Sequence, residues 1–236
     1  MRKIRLVTYQ PLCYTLLGIE AIQTKGLPPF IDASCRREPD FEGVFPSISA
    51  LCRKNKLAPQ LRQGDIVVYL TKPGKFQCSR PYLRQDEYKL TGILEVVDTF
   101  KDHVAAGMWF DANGYALPSN CLVAGNAPKR LFETGGDFKS QRELKAFLAM
   151  EQEKQSRVAD TRVRAWDRQY QQRAVEFPSF VVTRPVYLDL NNPISLFRAE
   201  LVSWFGNVPG TQASKILTEN EYQLILEKAK PTTVKK

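Results

Sequence analysis

Through the first half of the chain, short apolar runs separated by turn residues predict short strands and turns with a helix inserted. Residues 4–9 (IRLVTY) read as a strand and residues 12–22 as β-rich or mixed. Gly26, Pro28 and Pro29 then open an irregular stretch, PPFIDASCRREPDFEGVFP. After Pro46, SISALCRKNK predicts one or two helical turns, with Ile48, Leu51 and Cys52 on one face and Arg53, Lys54 and Lys56 at the C-terminal end. Gly64-Asp65 makes a tight turn into an apolar strand over residues 66–70, and YKLTGILEVVDTF (88–100) is the strongest β signal of all. A short helix over 102–110 and a strand near 121–124 complete this part.

From Ser140 the spacing becomes helical. Ser140 and Glu143 form a capping box, and Leu144, Phe147 and Leu148 share one face. No proline or glycine interrupts the polar stretch to about Val175, which predicts one long helix or two stacked ones. Trp166 and Tyr170, four residues apart, are placed to dock that helix on the core. A strand (FVVTRPVYLDL) and a terminal helix (TENEYQLILEKA, with a second capping box at Thr218 and Glu221) follow. The expected class is α+β: a small barrel over 1–139, a charged helical segment over 140–175, and a C-terminal strand and helix over 176–236 that pack back on the barrel.

Charge narrows the choice of partner. Among the chain's 236 residues, 34 Lys and Arg stand against 25 Asp and Glu, a net charge of +9, which favours a polyanion. The excess is local, since residues 51–90 carry nine basic and three acidic groups, whereas the long helical stretch 141–175 carries eight and five. His103 is the one histidine, and Ala105 stands where a zinc deaminase needs its Glu, so deaminase and HExxH chemistry are excluded. The five cysteines show no CxxC spacing and have no second histidine to complete a zinc site; their odd number points to a reducing cytoplasm. No apolar run reaches the ~20 residues of a membrane span, and the basic N-terminus lacks the uninterrupted apolar core of a secretory signal.

LRQGDIVVYLTK followed by YKLTGILEVVDTF places a Gly-Asp turn before one apolar strand and Glu-Val-Val at the end of the next. This resembles the core hairpin of the PUA-like superfamily, with the EVE, ASCH and nucleotide-modification-associated domains as the nearer comparisons. SISALCR before the turn, DHVAAGMWF after the Glu-Val-Val strand, and NCLVAG extend the resemblance over roughly residues 1–136. It implies a barrel with flanking helices that binds nucleic acid, or a modified or flipped base, in a concave site.

Such a site needs an aromatic face, a polar edge-reader and cations along the strand. Trp109 and Tyr115 offer faces, Ser49 and Asn120 an edge, and Arg36, Arg37, Arg53 and Lys54 phosphate contacts. No catalysis, cofactor or metal is expected on this reading. An enzymatic alternative is a metal-dependent nuclease, because Pro39-Asp40 with Glu87-Tyr88-Lys89 mimics the PD-(D/E)xK pattern; the apolar strand, however, follows the Glu-x-Lys where that pattern needs it to come before. A third reading is a protein-interaction subunit that contacts its partner through 140–175.

Overall fold

The computed structural model describes residues 2–74 and 87–229. Lys75, Arg80 and Arg84, part of the basic stretch counted above, and the final residues 230–236 lie outside the described residues. The expected α+β class holds. Six strands on one hydrogen-bonded path, in the order β2-β5-β4-β3-β1-β7, curl into a half-barrel, with β6 pairing to β4 off that path. These are β1 (Ile4–Tyr9), β2 (Ser47–Ser49), β3 (Ile66–Thr71), β4 (Glu87–Phe100), β5 (Phe180–Leu188), β6 (Ile194–Phe197) and β7 (Ser214–Leu217). Among the described residues β2 and β7 are the open edges of that path, so the sheet is not the closed small barrel expected.

β1 runs parallel to β3, and β3 and β4 form the antiparallel pair read from the sequence, with Ile66 opposite Glu95 and Tyr69 opposite Gly92. Alternate side chains go to opposite faces. Ile4, Leu6, Ile66, Val68, Leu70 and Ile93 pack on one face under α5 (Arg198–Phe205) and α6 (Glu219–Ala229). Val7, Tyr9, Val67, Tyr69, Leu94 and Val181 pack on the other with Phe41, Ile48, Leu57 and Leu61. Both faces are dry, which is why these strands read as continuous apolar runs.

The Gly64-Asp65 turn has a physical cause. Gly64 sits at φ 83°, in the left-handed region. The buried Asp65 carboxylate accepts the N–H of Lys3 at 2.7 Å and that of Arg62 at 3.0 Å, tying β1 to the start of β3. Asp65→Ala leaves both donors without that partner, and a loss of about 3 kcal/mol in urea unfolding is expected.

Elsewhere tertiary context overrode local pattern. Residues 16–25 form a helix, α1 (Leu16–Lys25), overlapping the 12–22 stretch read as β-rich or mixed; the Thr15 side chain accepts the Gly18 N–H, and Gly26 at φ 65° ends it. SISALCR starts as strand β2, because β5 offers a pairing partner at Phe180–Val182. Residues 121–124 form no strand: instead of a neighbouring strand, the His103 Nδ1 takes the Leu122 N–H at 3.1 Å. α2 (His103–Ala112) forms as expected, with the Asp102 carboxylate accepting the Ala105 N–H. The 140–175 stretch is two helices, α3 (Gln141–Leu148) and α4 (Gln152–Glu176). In one straight helix Phe147 and Ala159 would stand about 18 Å apart; the break brings both into one cluster with Leu17 and Leu131. The strands β6 and β7 and the helix α5 had no signal strong enough to be read. No helix among the described residues is long and apolar enough to cross a membrane.

Candidate functional site

Residues 30–42 do not form a surface loop. They cross the Tyr9–Tyr69 face of the sheet, fixed by bridges from Pro11 to Asp32 and from Asp40 to Ser47. Apolar Ile31, Ala33 and Cys35 alternate with Asp32, Ser34 and Arg36, and Asp32, Arg36, Arg37, Glu38 and Asp40 are all at most 7% exposed. Ionised groups rarely stay buried unless each finds a partner.

Most do. Arg36 makes a bidentate pair with Asp167 of α4, Nε to Oδ1 at 2.5 Å and Nη2 to Oδ2 at 3.0 Å, and donates to the Ser119 and Asn126 carbonyls. Arg37, at φ 34°, turns the chain so that its own guanidinium points elsewhere, to Glu42 and to the carbonyls of Asp32, Ser34 and Glu133. The left-handed conformation costs a non-glycine residue about 1–2 kcal/mol, which these bonds offset. Both arginines therefore tie the fold together, contrary to the phosphate contacts expected of them. Asp40 accepts the Ser119 N–H and hydroxyl and the Glu42 N–H. Ser49 and Asn120, taken as edge-readers, are buried and both donate to Glu38.

Trp109 also departs from expectation. Phe45 meets it edge-on at 5.4 Å, Tyr115 stacks on it at 6.1 Å, and Phe100 and Phe110 close the cluster. Both rings are packed within this cluster, and neither Trp109 nor Tyr115 lines the cavity described below. Lys54 is exposed at φ 53° on a turn, its ammonium 5.6 Å from the Phe177 ring centre.

The nuclease constellation is not assembled. Glu87 and Lys89 pair at 2.8 Å and share the Ser195 hydroxyl at the start of β4. Asp40 bridges Ser47, which is registered through Val182 to Asp98, near the other end of that long strand. No group of three His, Cys, Asp or Glu among the described residues is arranged to hold a metal ion.

What the fold does assemble is a cavity of about 240 Å³ between the 30–42 segment, β1, β3 and α4. Asp32, Glu38, Arg53, Lys72 and Trp166 line it, and the exposed Gln212 stands at its rim. Asp32 Oδ1 accepts the N–H of Ser34, the Ser34 hydroxyl and the N–H of Glu38, leaving Oδ2 outside those bonds. Arg53 is 3% exposed; its Nη2 donates to the Thr8 carbonyl, and its Nε has no partner. The buried Tyr69 hydroxyl also lacks one. Burial pushes the Glu38 carboxyl up to about 8, against the opposing pull of its bonds to Ser49 and Asn120 and of the Arg53 charge. Burial likewise raises the Asp32 carboxyl. At neutral pH Glu38 thus carries a proton it can share, while Arg53 offers a donor with nothing to meet it. The Cys52 thiol beside them is pushed up to about 12 by burial, which rules it out as a ready nucleophile.

Of the residues singled out in the sequence, Arg53 alone lines this cavity. Asp32 and Lys72 were missed, Glu38 was read only as a carboxylate beside Arg36 and Arg37, and Trp166 was placed only as a docking residue. The alternation of apolar and charged residues through IDASCR was the available signal that this stretch is internal. No protein-family model, curated protein or solved structure matches the chain. Fold and cavity together define an α+β half-barrel protein with a partly open cavity, lined by buried charged residues, beside its long helix.

Proposed function

We propose that the chain is a nucleic-acid-binding protein of PUA-like type that admits a single base, modified or extruded from its strand, into the cavity of Asp32, Glu38, Arg53 and Trp166. The observation carrying this is the convergence of one free donor (Arg53 Nε) and two buried carboxyls whose burial favours the protonated form (Glu38 and Asp32) beside an aromatic ring. A base edge presents donors and acceptors together, and its face stacks on aromatic rings. The cavity is below the ~300–1,000 Å³ of drug-sized sites, which suits one small ring system. The net charge of +9 and the resemblance of the β3–β4 hairpin support the same reading.

Fluorescence anisotropy with labelled single- and double-stranded oligonucleotides across a salt series tests it. Salt-sensitive binding is expected. Arg53→Lys keeps the charge but loses the guanidinium fork, and should weaken binding about 10- to 100-fold for one lost charge-assisted hydrogen bond. Trp166→Ala should cost a further stacking contribution of about 1–3 kcal/mol, whereas Trp109→Ala should leave binding unchanged. Absence of salt-sensitive binding to every oligonucleotide removes the reading.

A further inference from the structure

The base cavity has a neighbour. A groove of about 640 Å³, lined by Tyr14, Thr15, Leu16, Ser140 and Gln141 among others, shares Gln10 and Gly136 with the base cavity as common wall. α1 and α3 both begin in this groove. In each, the cap hydroxyl takes only one N–H, from Gly18 and from Glu143, so N–H groups of both first turns remain without a helical acceptor. The first-turn carboxylate of α3, Glu143, is engaged by Arg162 and by the Lys139 N–H.

A cation stands at the junction. Lys72 lines the base cavity, while its ammonium lies 2.7 Å from Gln10 Oε1 and 3.7 Å from the centre of the Tyr14 ring, both in the groove wall. Among the described residues it pairs with no carboxylate. Lys72, a cation with no carboxylate partner among the described residues, at the junction with a groove that holds two helix N-termini, gives the surroundings in which an anion is stabilised.

We propose that the cavity and the groove are two halves of one nucleotide site, the base in the first and its adjoining phosphate in the second, held by Lys72 and the N-termini of α1 and α3. The inference rests on the base-binding reading and adds to it the phosphate, and with it the direction in which the strand leaves the cavity.

Lys72→Gln and Lys72→Arg, each checked for native near-UV circular dichroism, test it in two arms. In the first, inorganic phosphate is titrated into the full chain at constant ionic strength and followed by ³¹P NMR. Saturable binding is expected in the wild type and in Lys72→Arg, and its loss in Lys72→Gln. In the second, oligonucleotide binding is measured against salt: Lys72→Gln should weaken it about tenfold and lower the salt slope by about one, with Lys72→Arg close to wild type. Oligonucleotide binding with an unchanged slope in Lys72→Gln overturns the phosphate site and leaves the base reading standing. Phosphate binding without binding of any oligonucleotide overturns the nucleotide assignment and points to a free phosphate instead. No phosphate binding in the wild type overturns the inference outright.

Discussion

Asp167→Ala is expected to be among the most destabilising single changes in this chain. It removes both acceptors of the bidentate Arg36 pair and the acceptor of the Gln171 amide, which donates to Oδ2 at 2.7 Å. What remains is a guanidinium only 2% exposed that lacks its counter-ion. Breaking a buried pair from one side costs about 3–5 kcal/mol, a large share of the 5–15 kcal/mol that holds a typical domain. Urea unfolding followed by tryptophan fluorescence should show the midpoint falling accordingly. The double variant Arg36→Met/Asp167→Leu should recover part of the loss, because no charge is then left buried. Recovery should be incomplete, since the Ser119 and Asn126 carbonyls lose their donor. The pair also anchors α4 next to Trp166, so the single variant should lose ligand binding even under conditions where it stays folded.

The second large effect is on pH. In the unfolded chain Glu38 ionises near the ordinary 4.5, while in the folded protein burial holds its carboxyl up to about 8. Between those values the folded chain keeps a proton that the unfolded chain has released. Stability is therefore fully present below about pH 4.5 and falls as pH rises through 8, by several kcal/mol in all. Asp32 and Asp40, also raised by burial, act in the same direction. Chemical denaturation at pH 5, 6, 7 and 8 should show this decline, and Glu38→Gln, which mimics the protonated acid, should flatten it. An unchanged decline in Glu38→Gln would refute the placement of Glu38 as a protonated group. Base binding in the wild type should hold across pH 5–7 and weaken as pH rises through about 8, where the folded chain gives up the shared proton.

Much of the scaffold was legible because its determinants are local. The β3–β4 hairpin followed from two apolar runs and a Gly-Asp turn, and of the two capping boxes read from the sequence one closed fully and the other by half. At Thr218 and Glu221 each side chain accepts the other residue's N–H. At Ser140 the hydroxyl accepts the Glu143 N–H, while the Glu143 carboxylate reaches one residue further back, to Lys139. Short elements fared worse. β2 exists because β5 lies beside it, and β7 because β1 does; their sequences alone were compatible with a helical turn or a loop.

The candidate site was hidden for a different reason. CRREPDFEG reads equally well as an Arg clamp oriented by its own carboxylates and as a solvated, self-neutralising loop, since both signs stand together in one Pro-containing segment. Its partners are Asp167, Ser119, Asn120 and Glu133, far along the chain. Trp109 looked available because a sequence does not show that Phe45 and Tyr115 come to cover it.

By itself the sequence determined the class of fold, the central hairpin, the helix starts and the positive charge, all consequences of periodicity and of neighbours within a few residues. Only the tertiary structure decided which charges are structural ties and which face a cavity. That choice depends on whether a buried ionised group finds its counter-ion, and here the counter-ions come from segments the chain brings together only by folding.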